Sequence, residues 1–458
     1  MSFTNKYFNF FICTLIVSFP LLTLTLKHAS GVIFLLLALI GLFLYPWLRK
    51  NNPLQQTEIL LIFSFLFFVF VAGFAILLGD DVTTGYRWYG KFLRFAFAIP
   101  LFLLLRRIII SEDLFWKSLA FGAIISGIVA FIELYVGQIL GWGGGHTGRA
   151  SGVTHPILFG DISLTMGIMS FCGLHYFHKQ KSWISSLPIG GLAMGLLASF
   201  MSGARGSWIA IPALLLFLLW FLRTSIPKQV FFGTITLVVA LPLLVYIIPG
   251  TNMSARIDAT FKEYNNYLDN PVEKNLMGNP VGIRLEMWQA SWTIFKETPL
   301  LGKGWGNYQS AAQKLVKEGK RNQAITQYRH PHNQYLSSMV SSGIAGLTAT
   351  LFLFFIPIFI FYRVYNSGPT NKRPLAASGM VLVIAFAHFA LTEGVFERNI
   401  TINFYSFYLV LITALILRKS PNNECVTYTK TSPETSRQQT SQAAEIQKMM
   451  PTNTVYNV

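Results

Sequence analysis

A pair of histidines stands where a polar stretch of the sequence gives way to an apolar one. His330 and His332 flank Pro331 in the segment HPHNQYLSSMVSSGIAG, which ends at Gly346. A neutral imidazole, with an unperturbed pKa of about 6.5, suits a general base at neutral pH. No Cys pair and no HExxH motif accompanies the histidines, so the sequence favours proton transfer over metal binding at this segment.

Two arginines at unusual positions are the next candidates. Arg205 lies in the segment SFMSGARGSWIA, with glycines on both sides that let a ligand approach the backbone. Arg284 stands near the start of a helical pattern, where the helix dipole does not favour a cation. The alternatives are an interface arginine at Arg205 and a surface salt bridge of Arg284 with Glu286 or a neighbour, and spacing alone favours that salt bridge.

Three further cations, Arg149, Lys91 and Arg94, lie on the same predicted side of the membrane as the histidines. Lys91 and Arg94 are three residues apart and share a helix face, a spacing that favours interface anchoring over ligand binding. Guanidinium groups match the paired oxygens of phosphates. No nucleotide-binding loop or GxSxG motif is present, so the simplest phosphate-bearing substrate for these cations is a lipid-linked one.

The composition indicates an all-α integral membrane protein. Of 458 residues, 53% are hydrophobic and only 12% are charged, whereas soluble chains have about 25% charged residues. The net charge of +17 falls in short turns and a tail, not on a folded basic face, which argues against nucleic-acid binding.

The apolar segments predict about twelve transmembrane helices, since each has roughly the length that crosses a bilayer. The predicted spans are 7–26, 31–48, 57–78, 89–105, 114–136, 156–177, 183–201, 207–222, 229–249, 344–362, 375–392 and 402–417.

Charge sets the predicted orientation. One set of segments between the spans contains fourteen Lys and Arg residues and the opposite set of short turns only five, so both termini are predicted to be cytoplasmic. Residues 250–331 then form one large periplasmic loop of short helices. Residues 1–420 are predicted to be a polytopic membrane domain, and residues 421–458 a disordered cytoplasmic tail.

The histidine segment resembles the signature of bacterial O-antigen ligases within the O-antigen ligase/polymerase superfamily. That signature is His, then Asn, Ser or Gln, nine residues, Gly, two residues, and Gly, Thr or Tyr. It falls on His332, Asn333, Gly343 and Gly346. The order of the spans, the large loop before the motif and the two arginines are also similar over most of residues 1–420.

The resemblance implies metal-independent, inverting glycosyl transfer at the periplasmic face of the inner membrane, with no cofactor. The donor would be an undecaprenyl-diphosphate-linked polysaccharide, and the acceptor a sugar hydroxyl of lipid A-core. By position, His332 matches the essential histidine, and Arg205 and Arg284 match the two arginines. Arg149, Lys91, Arg94, His330 and Asn333 are secondary candidates, and Gly343 and Gly346 are expected to serve helix packing.

Other functions remain open at this point. A polymerase or a protein O-oligosaccharyltransferase would use the same donor, and no motif identifies the acceptor. A transporter would place ionisable residues near the middle of the membrane. Here the main cation set lies at the outer rim, which favours an enzyme.

We expect a topology reporter fused near Asn266 to be periplasmic and one fused after Ser420 to be cytoplasmic. The segments that are rich in Lys and Arg mark the cytoplasmic side, and residues 250–331 lie on the opposite side of the membrane. Alkaline phosphatase and green fluorescent protein fusions at these two positions measure this directly. The opposite pair of readings would contradict the orientation and every site assignment that depends on it.

Overall fold

The computed structural model describes residues 6–49, 53–137, 148–177, 183–222, 227–247, 253–269, 276 and 278–418, and over these ranges it contains helices and no strand. The predicted tail, residues 421–458, lies outside them. The α-helices in chain order are α1 Lys6–Thr23, α2 Ala29–Phe43, α3 Tyr45–Arg49, α4 Gln56–Leu77, α5 Val82–Leu105, α6 Glu112–Phe131, α7 Pro156–Phe171, α8 Leu174–Phe177, α9 Leu187–Met201, α10 Arg205–Trp208, α11 Ala210–Leu222, α12 Lys228–Ile247, α13 Met253–Asp269, α14 Pro280–Glu297, α15 Tyr308–Lys317, α16 Gln334–Ser367, α17 Arg373–Phe389 and α18 Asn399–Leu417.

Among the described residues, seven helices are long and apolar enough to cross a membrane. They are Lys6–Thr23, Gln56–Leu77, Val82–Leu105, Glu112–Val136, Trp183–Met201, Gln334–Ser367 and Asn399–Leu417, and shorter apolar helices cover Ala29–Phe43, Pro156–Phe171 and Arg205–Phe221. This confirms a helical protein with the composition of a membrane protein. Each of the twelve predicted spans overlaps a helix, although the number that cross the bilayer stays a prediction.

Two span boundaries were wrong, because polar caps extend the helices beyond their apolar parts. α5 begins at Val82 instead of residue 89, since the Asp81 carboxylate accepts a hydrogen bond from the Thr84 amide at 3.1 Å. α16 begins at Gln334 instead of residue 344, since the Asn333 side chain accepts from the Leu336 amide at 3.0 Å. Both extensions bring polar residues to one end of the helix bundle.

α18 is the central helix of the bundle. Almost all of its side chains are buried, and the Tyr405 hydroxyl donates a hydrogen bond to the Leu353 carbonyl of α16 at 2.6 Å. Burial on every face means that other parts of the protein, and not lipid, surround this helix. The short turn that precedes α18, residues 390–398, is therefore held at a fixed place at the end of the bundle.

The predicted loop 250–331 forms a helical cap, which comprises α13, α14, α15 and a 3₁₀ turn at Gln323–Gln327. Its buried core is shared with α16 through Val340. The stretch RLEMWQASWTIFKE lies in the helix α14. The residues of this helix that fill the cap core are Ile283, Met287, Ala290 and Ile294.

α16 has a kink that receives the segment connecting α14 to α15. Gly343 has a left-handed φ of 61°, and a Cβ there would lie 2.3 Å from the Leu300 carbonyl carbon. The Ile344 amide donates to the Pro299 carbonyl at 2.8 Å, and the Lys303 amide to the Val340 carbonyl at 2.8 Å. The expectation that Gly343 packs against another helix is therefore wrong, because the backbone of the cap segment contacts this glycine.

Gly346 also differs from the expected helix packing. A Cβ at this position would lie 2.5 Å from the Ser338 carbonyl oxygen, which belongs to the same helix before the kink. The glycine therefore lets the two halves of α16 approach each other at the bend.

Candidate functional site

The two histidines lie side by side at the entry to α16. His332 has a φ of 48°, in the left-handed region that non-glycine residues rarely adopt. Its ring centroid is 4.3 Å from that of His330. The His332 amide donates to Nδ1 of His330 at 3.3 Å. Backbone strain of this kind persists where surrounding contacts enforce it, and it concentrates at functional sites.

Two buried glutamates from the turn before α18 contact these histidines. Nδ1 of His332 lies 3.2 Å from Oε2 of Glu393, and Nδ1 of His330 lies 3.1 Å from Oε2 of Glu397. The sequence reasoning missed both glutamates. The available signal was the segment TEGVFER, in which two carboxylates stand four residues apart in a turn between apolar spans.

Four hydrogen bonds hold the histidine segment against the glutamate turn. The Gln334 amide donates to the Ala390 carbonyl at 2.8 Å, and the Gln334 side-chain oxygen accepts from the Phe396 amide at 2.9 Å. The Asn333 amide group donates to the Leu391 carbonyl at 3.0 Å, and the Tyr335 hydroxyl to the Ala387 carbonyl at 2.8 Å. Asn333, a secondary candidate from the sequence, thus positions the turn while it caps α16.

The two carboxyl groups have opposite pKa shifts. Burial raises the pKa of Glu393, but the hydrogen bond from His332 and the electrostatic interactions with the two histidines and with the Arg284 charge outweigh it and lower the pKa to about 2. Burial raises the pKa of Glu397 to about 7, and the charge of Glu393 adds to this. Glu393 is therefore ionised at neutral pH, whereas Glu397 is partly protonated.

The two histidines have different roles as a result. Burial, with repulsion from His332, lowers the pKa of His330 to about 3, so His330 is neutral and its Nδ1 accepts the hydrogen bond from the His332 amide. The hydrogen bond to the Glu393 carboxylate assigns the Nδ1 proton to His332. Nε2 of His332 is then left as the basic nitrogen, and the geometry fits a carboxylate–histidine general base.

The same residues also have the ligand types of a metal site. One ligand atom each from His330, His332 and Glu393 lies within 4.8 Å of the others. However, Glu393 already accepts from His332, and the positive charge of Arg284 acts on the same carboxylate. Further cations line the cavity beside the histidines. These charges disfavour a divalent cation, so we interpret the cluster as a proton-transfer site.

Arg284 lies close to this cluster. The Trp288 indole, one turn later in α14, donates to the Pro331 carbonyl between the histidines at 3.0 Å. The salt bridge of Arg284 with Glu286 was a wrong expectation, since Glu286 accepts from the Asn322 amide and the Tyr267 hydroxyl inside the cap. Burial lowers the pKa of Arg284, and over the described part of the chain its guanidinium has neither a hydrogen bond nor an ion pair.

Arg205 and Arg149 join Arg284 around one cavity of about 200 Å³. Arg149 donates to the carbonyls of Ser202 and Gly203 at 2.7 and 3.2 Å, and so holds the turn that presents Arg205. Arg205 contacts the Thr260 hydroxyl and lies 3.6 Å from a Glu263 carboxylate oxygen.

Two further features connect this arginine cavity to its surroundings. Gly206 packs against Thr392, since a Cβ on Gly206 would lie 2.3 Å from the Thr392 hydroxyl oxygen. Thr392 lines the cavity and is the residue before Glu393. An apolar groove of about 360 Å³ continues from the two arginines past Trp208, Ile209 and Phe261.

Lys91 and Arg94, which the sequence put on one face of α5, have different surroundings. Lys91 lies 3.8 Å above the Trp88 ring and lines a second cavity, of about 630 Å³, which also contains His330 and His332. Arg94 donates to the Gly90 carbonyl of its own helix at 3.0 Å and is not among the residues that line this cavity.

Part of this site lies in a range that matches a protein-family model. Residues 190–351 match the family model for O-antigen ligase, a range that includes Arg205, Arg284 and His332. An uncharacterized protein of Haemophilus influenzae is 25% identical over 86% of this chain and 96% of its own length. The O-antigen ligase of Escherichia coli is 21% identical over 68% of this chain and 67% of its own length.

The raised pKa of Glu397 predicts a pH-dependent stability difference between the wild type and Glu397→Gln. A carboxyl group with a folded pKa of about 7, above its ordinary value of 4.5, favours the folded state at low pH. This contribution is lost as the pH rises from 4.5 through 7. Glutamine mimics the protonated form, so we expect equal stability at low pH and an advantage of about 1–3 kcal/mol for the variant at high pH.

Thermal unfolding in detergent at about pH 5 and pH 8 measures this difference. Glu297→Gln, at the exposed end of α14, is the matched control and should not change the pH dependence. A stability difference between the wild type and Glu397→Gln that is the same at both pH values would contradict a raised pKa for Glu397.

Proposed function

Because residues 190–351 form a domain of the O-antigen ligase family, we propose that this protein is an O-antigen ligase. It transfers a polysaccharide from undecaprenyl diphosphate to a sugar hydroxyl of lipid A-core and so completes lipopolysaccharide. The single observation that supports this best is the hydrogen bond between His332 and the ionised Glu393, with the charge of Arg284 acting on the same carboxylate.

In the proposed reaction, Nε2 of His332 removes the proton from the acceptor hydroxyl as its oxygen attacks the anomeric carbon of the donor sugar. The bond between that carbon and the diphosphate oxygen breaks, and undecaprenyl diphosphate leaves with the electron pair. Attack opposite to the leaving group inverts the anomeric configuration. Glu393 holds His332 in the required tautomer and stabilises the imidazolium that forms, which makes it a positioning residue.

The leaving diphosphate is proposed to bind between Arg205 and Arg284. Both guanidinium groups line the cavity beside Thr392, and a guanidinium donates two parallel hydrogen bonds to phosphate oxygens. Positive charge at the bridging oxygen lowers the energy of the departing anion. The apolar groove past Trp208 and Phe261 has the composition that suits the prenyl chain.

The proposed location is the bacterial inner membrane, with the site at the periplasmic face and both termini in the cytoplasm. The charge bias between the two sets of turns supports this orientation. The proposed base and its carboxylate partner also lie in segments between helices, with His332 before α16 and Glu393 before α18. A transporter would need such groups within its spans, so this placement favours an enzyme. An O-antigen polymerase or a protein O-oligosaccharyltransferase would use the same donor chemistry and differ in the acceptor.

Arg205→Ala and Arg284→Ala should each lower transfer at least tenfold to a hundredfold. Loss of one charge-assisted contact to phosphate in a partly buried site costs about 1.5–3 kcal/mol. Lysine at either position should restore activity only in part, because an ammonium group has no fork. Ligation is measured with purified protein, lipid-linked donor and lipid A-core, and membrane insertion is checked in parallel. Full activity of both alanine variants would rule out the proposed diphosphate contacts.

His332→Ala should lower transfer by about 10²–10⁴-fold, the usual contribution of a positioned base. Membranes with this variant should contain lipid A-core without attached polysaccharide, while the lipid-linked donor is still made. His330→Ala is the matched control and should have a milder effect, since His330 is neutral and packs against Glu397. Wild-type activity should survive EDTA.

Two results would contradict this mechanism. One is ligation by His332→Ala at the wild-type rate with purified components, which would remove the base. The other is complete inhibition of the wild type by EDTA, which would assign His330, His332 and Glu393 to a metal ion.

A further inference from the structure

The larger cavity beside the histidines is distinct from the arginine cavity that the proposed reaction uses for the donor. It has a volume of about 630 Å³ and includes His330, His332 and Glu397 in its lining. None of its lining residues belongs to the cavity of Arg205 and Arg284. The histidines line the larger cavity, whereas the smaller one comes near them through Thr392, the residue before Glu393, and through Arg284, which acts on the Glu393 carboxylate.

Four cations line this larger cavity. Arg87 and Lys91 come from α5, Arg329 from the segment before the histidines, and Arg398 from the turn before α18. The one carboxyl group in the lining is Glu397, which is buried. Within the described ranges of the chain, none of the four cations has an ion pair with a carboxylate.

An anion in this cavity would reduce the repulsion among these cations, although Arg87, Arg329 and Arg398 are exposed and water already screens part of it. Like charges from three separate segments repel each other when they face one concave space. Ordinary surface cations avoid this by spreading over convex surface or by pairing with acids. Lys91 lies 3.8 Å above the Trp88 ring, and Glu397 is the carboxyl group that acts on it electrostatically. The cavity is therefore electrostatically complementary to a negatively charged ligand.

The remaining lining indicates what kind of anion fits. Thr84, Gln309, Gln327 and Tyr328 provide hydroxyl and amide groups, which match the hydroxyls of a saccharide. The apolar residues that suit a lipid chain line the groove on the other side, next to Arg205 and Arg284. The polar cavity thus fits a charged sugar better than a prenyl diphosphate.

We propose that this cavity is the acceptor subsite, and that it selects an acceptor saccharide with phosphate or carboxylate groups next to the reacting hydroxyl. This inference rests on the proposed function, because it uses His332 as the base that faces the acceptor. Arg87, Arg329 and Arg398 would contact the anionic groups and bring the hydroxyl to His332. They would determine acceptor specificity without taking part in bond making.

The test measures acceptor and donor dependence separately. Arg87→Gln, Arg329→Gln and Arg398→Gln should each raise the KM for native lipid A-core by about three- to tenfold, as expected for partly exposed charge contacts. The KM for the lipid-linked donor and the kcat should not change. Lys314→Gln, an exposed cation of the cap helix α15, is the matched control and should leave both KM values unchanged. An unchanged acceptor KM in all three arginine variants, or a raised donor KM, would overturn the inference.

The acceptor chemistry is tested with core oligosaccharide released from lipid A. Three forms are compared by equilibrium binding to the purified protein, namely untreated, dephosphorylated with aqueous hydrofluoric acid, and carboxyl-reduced. Loss of affinity on dephosphorylation assigns the arginines to phosphate, and loss on carboxyl reduction assigns them to carboxylate. Equal binding of all three forms would overturn the inference.

This binding measurement also separates the inference from the proposed function. Charge-dependent binding without any transfer to lipid A-core would contradict the ligase assignment and leave the anionic saccharide site standing. Transfer without charge dependence in either assay would support the ligase and contradict the subsite.

Discussion

The contact between His332 and Glu393 is the constraint on which the site depends. A buried carboxylate is strongly disfavoured unless a hydrogen-bonding partner and nearby positive charge offset the loss of water. Here Nδ1 of His332 lies 3.2 Å from the carboxylate and Arg284 adds its charge, so the pKa of Glu393 falls to about 2 despite burial. The same contact fixes the tautomer of His332 and thereby determines which nitrogen is basic.

Several contacts in the fold hold His332 and Glu393 in these positions. α18 is buried on all sides, and the turn before it is tied to the entry of α16 by hydrogen bonds from Gln334, Asn333 and Tyr335. The cap is held to α16 at the kink of Gly343 and to the histidine segment through Trp288. The left-handed backbone of His332 is stable because these neighbouring segments leave no room for the chain to unwind.

The charges around the histidines are divided between two spaces. Arg205 and Arg284 face a small cavity that continues into an apolar groove, whereas Arg87, Arg329 and Arg398 face a larger polar one. In the proposed reaction these would receive a lipid-linked diphosphate and a charged saccharide. His332 stands at the junction, where a base can act on a hydroxyl from one side as the diphosphate leaves on the other.

The sequence by itself predicted a helical membrane protein and approximate helix positions, and it identified Arg205, Arg284 and His332 as candidate site residues. The class and the helix positions follow from apolar runs that are long enough for a bilayer. The three residues were noticed as isolated polar groups in an apolar chain, and the resemblance of the His332 segment to the O-antigen ligase signature selected them. Only the tertiary structure decided the partners. Glu393 and Glu397 are more than sixty residues from the histidines, and a carboxylate in a short turn has no periodicity that reveals what it contacts. The prediction of an Arg284–Glu286 salt bridge was wrong for the same reason, because Glu286 points into the cap and accepts a hydrogen bond from the Asn322 amide. Spacing along one helix specifies which residues share a face, whereas the packing of the other segments decides what that face meets.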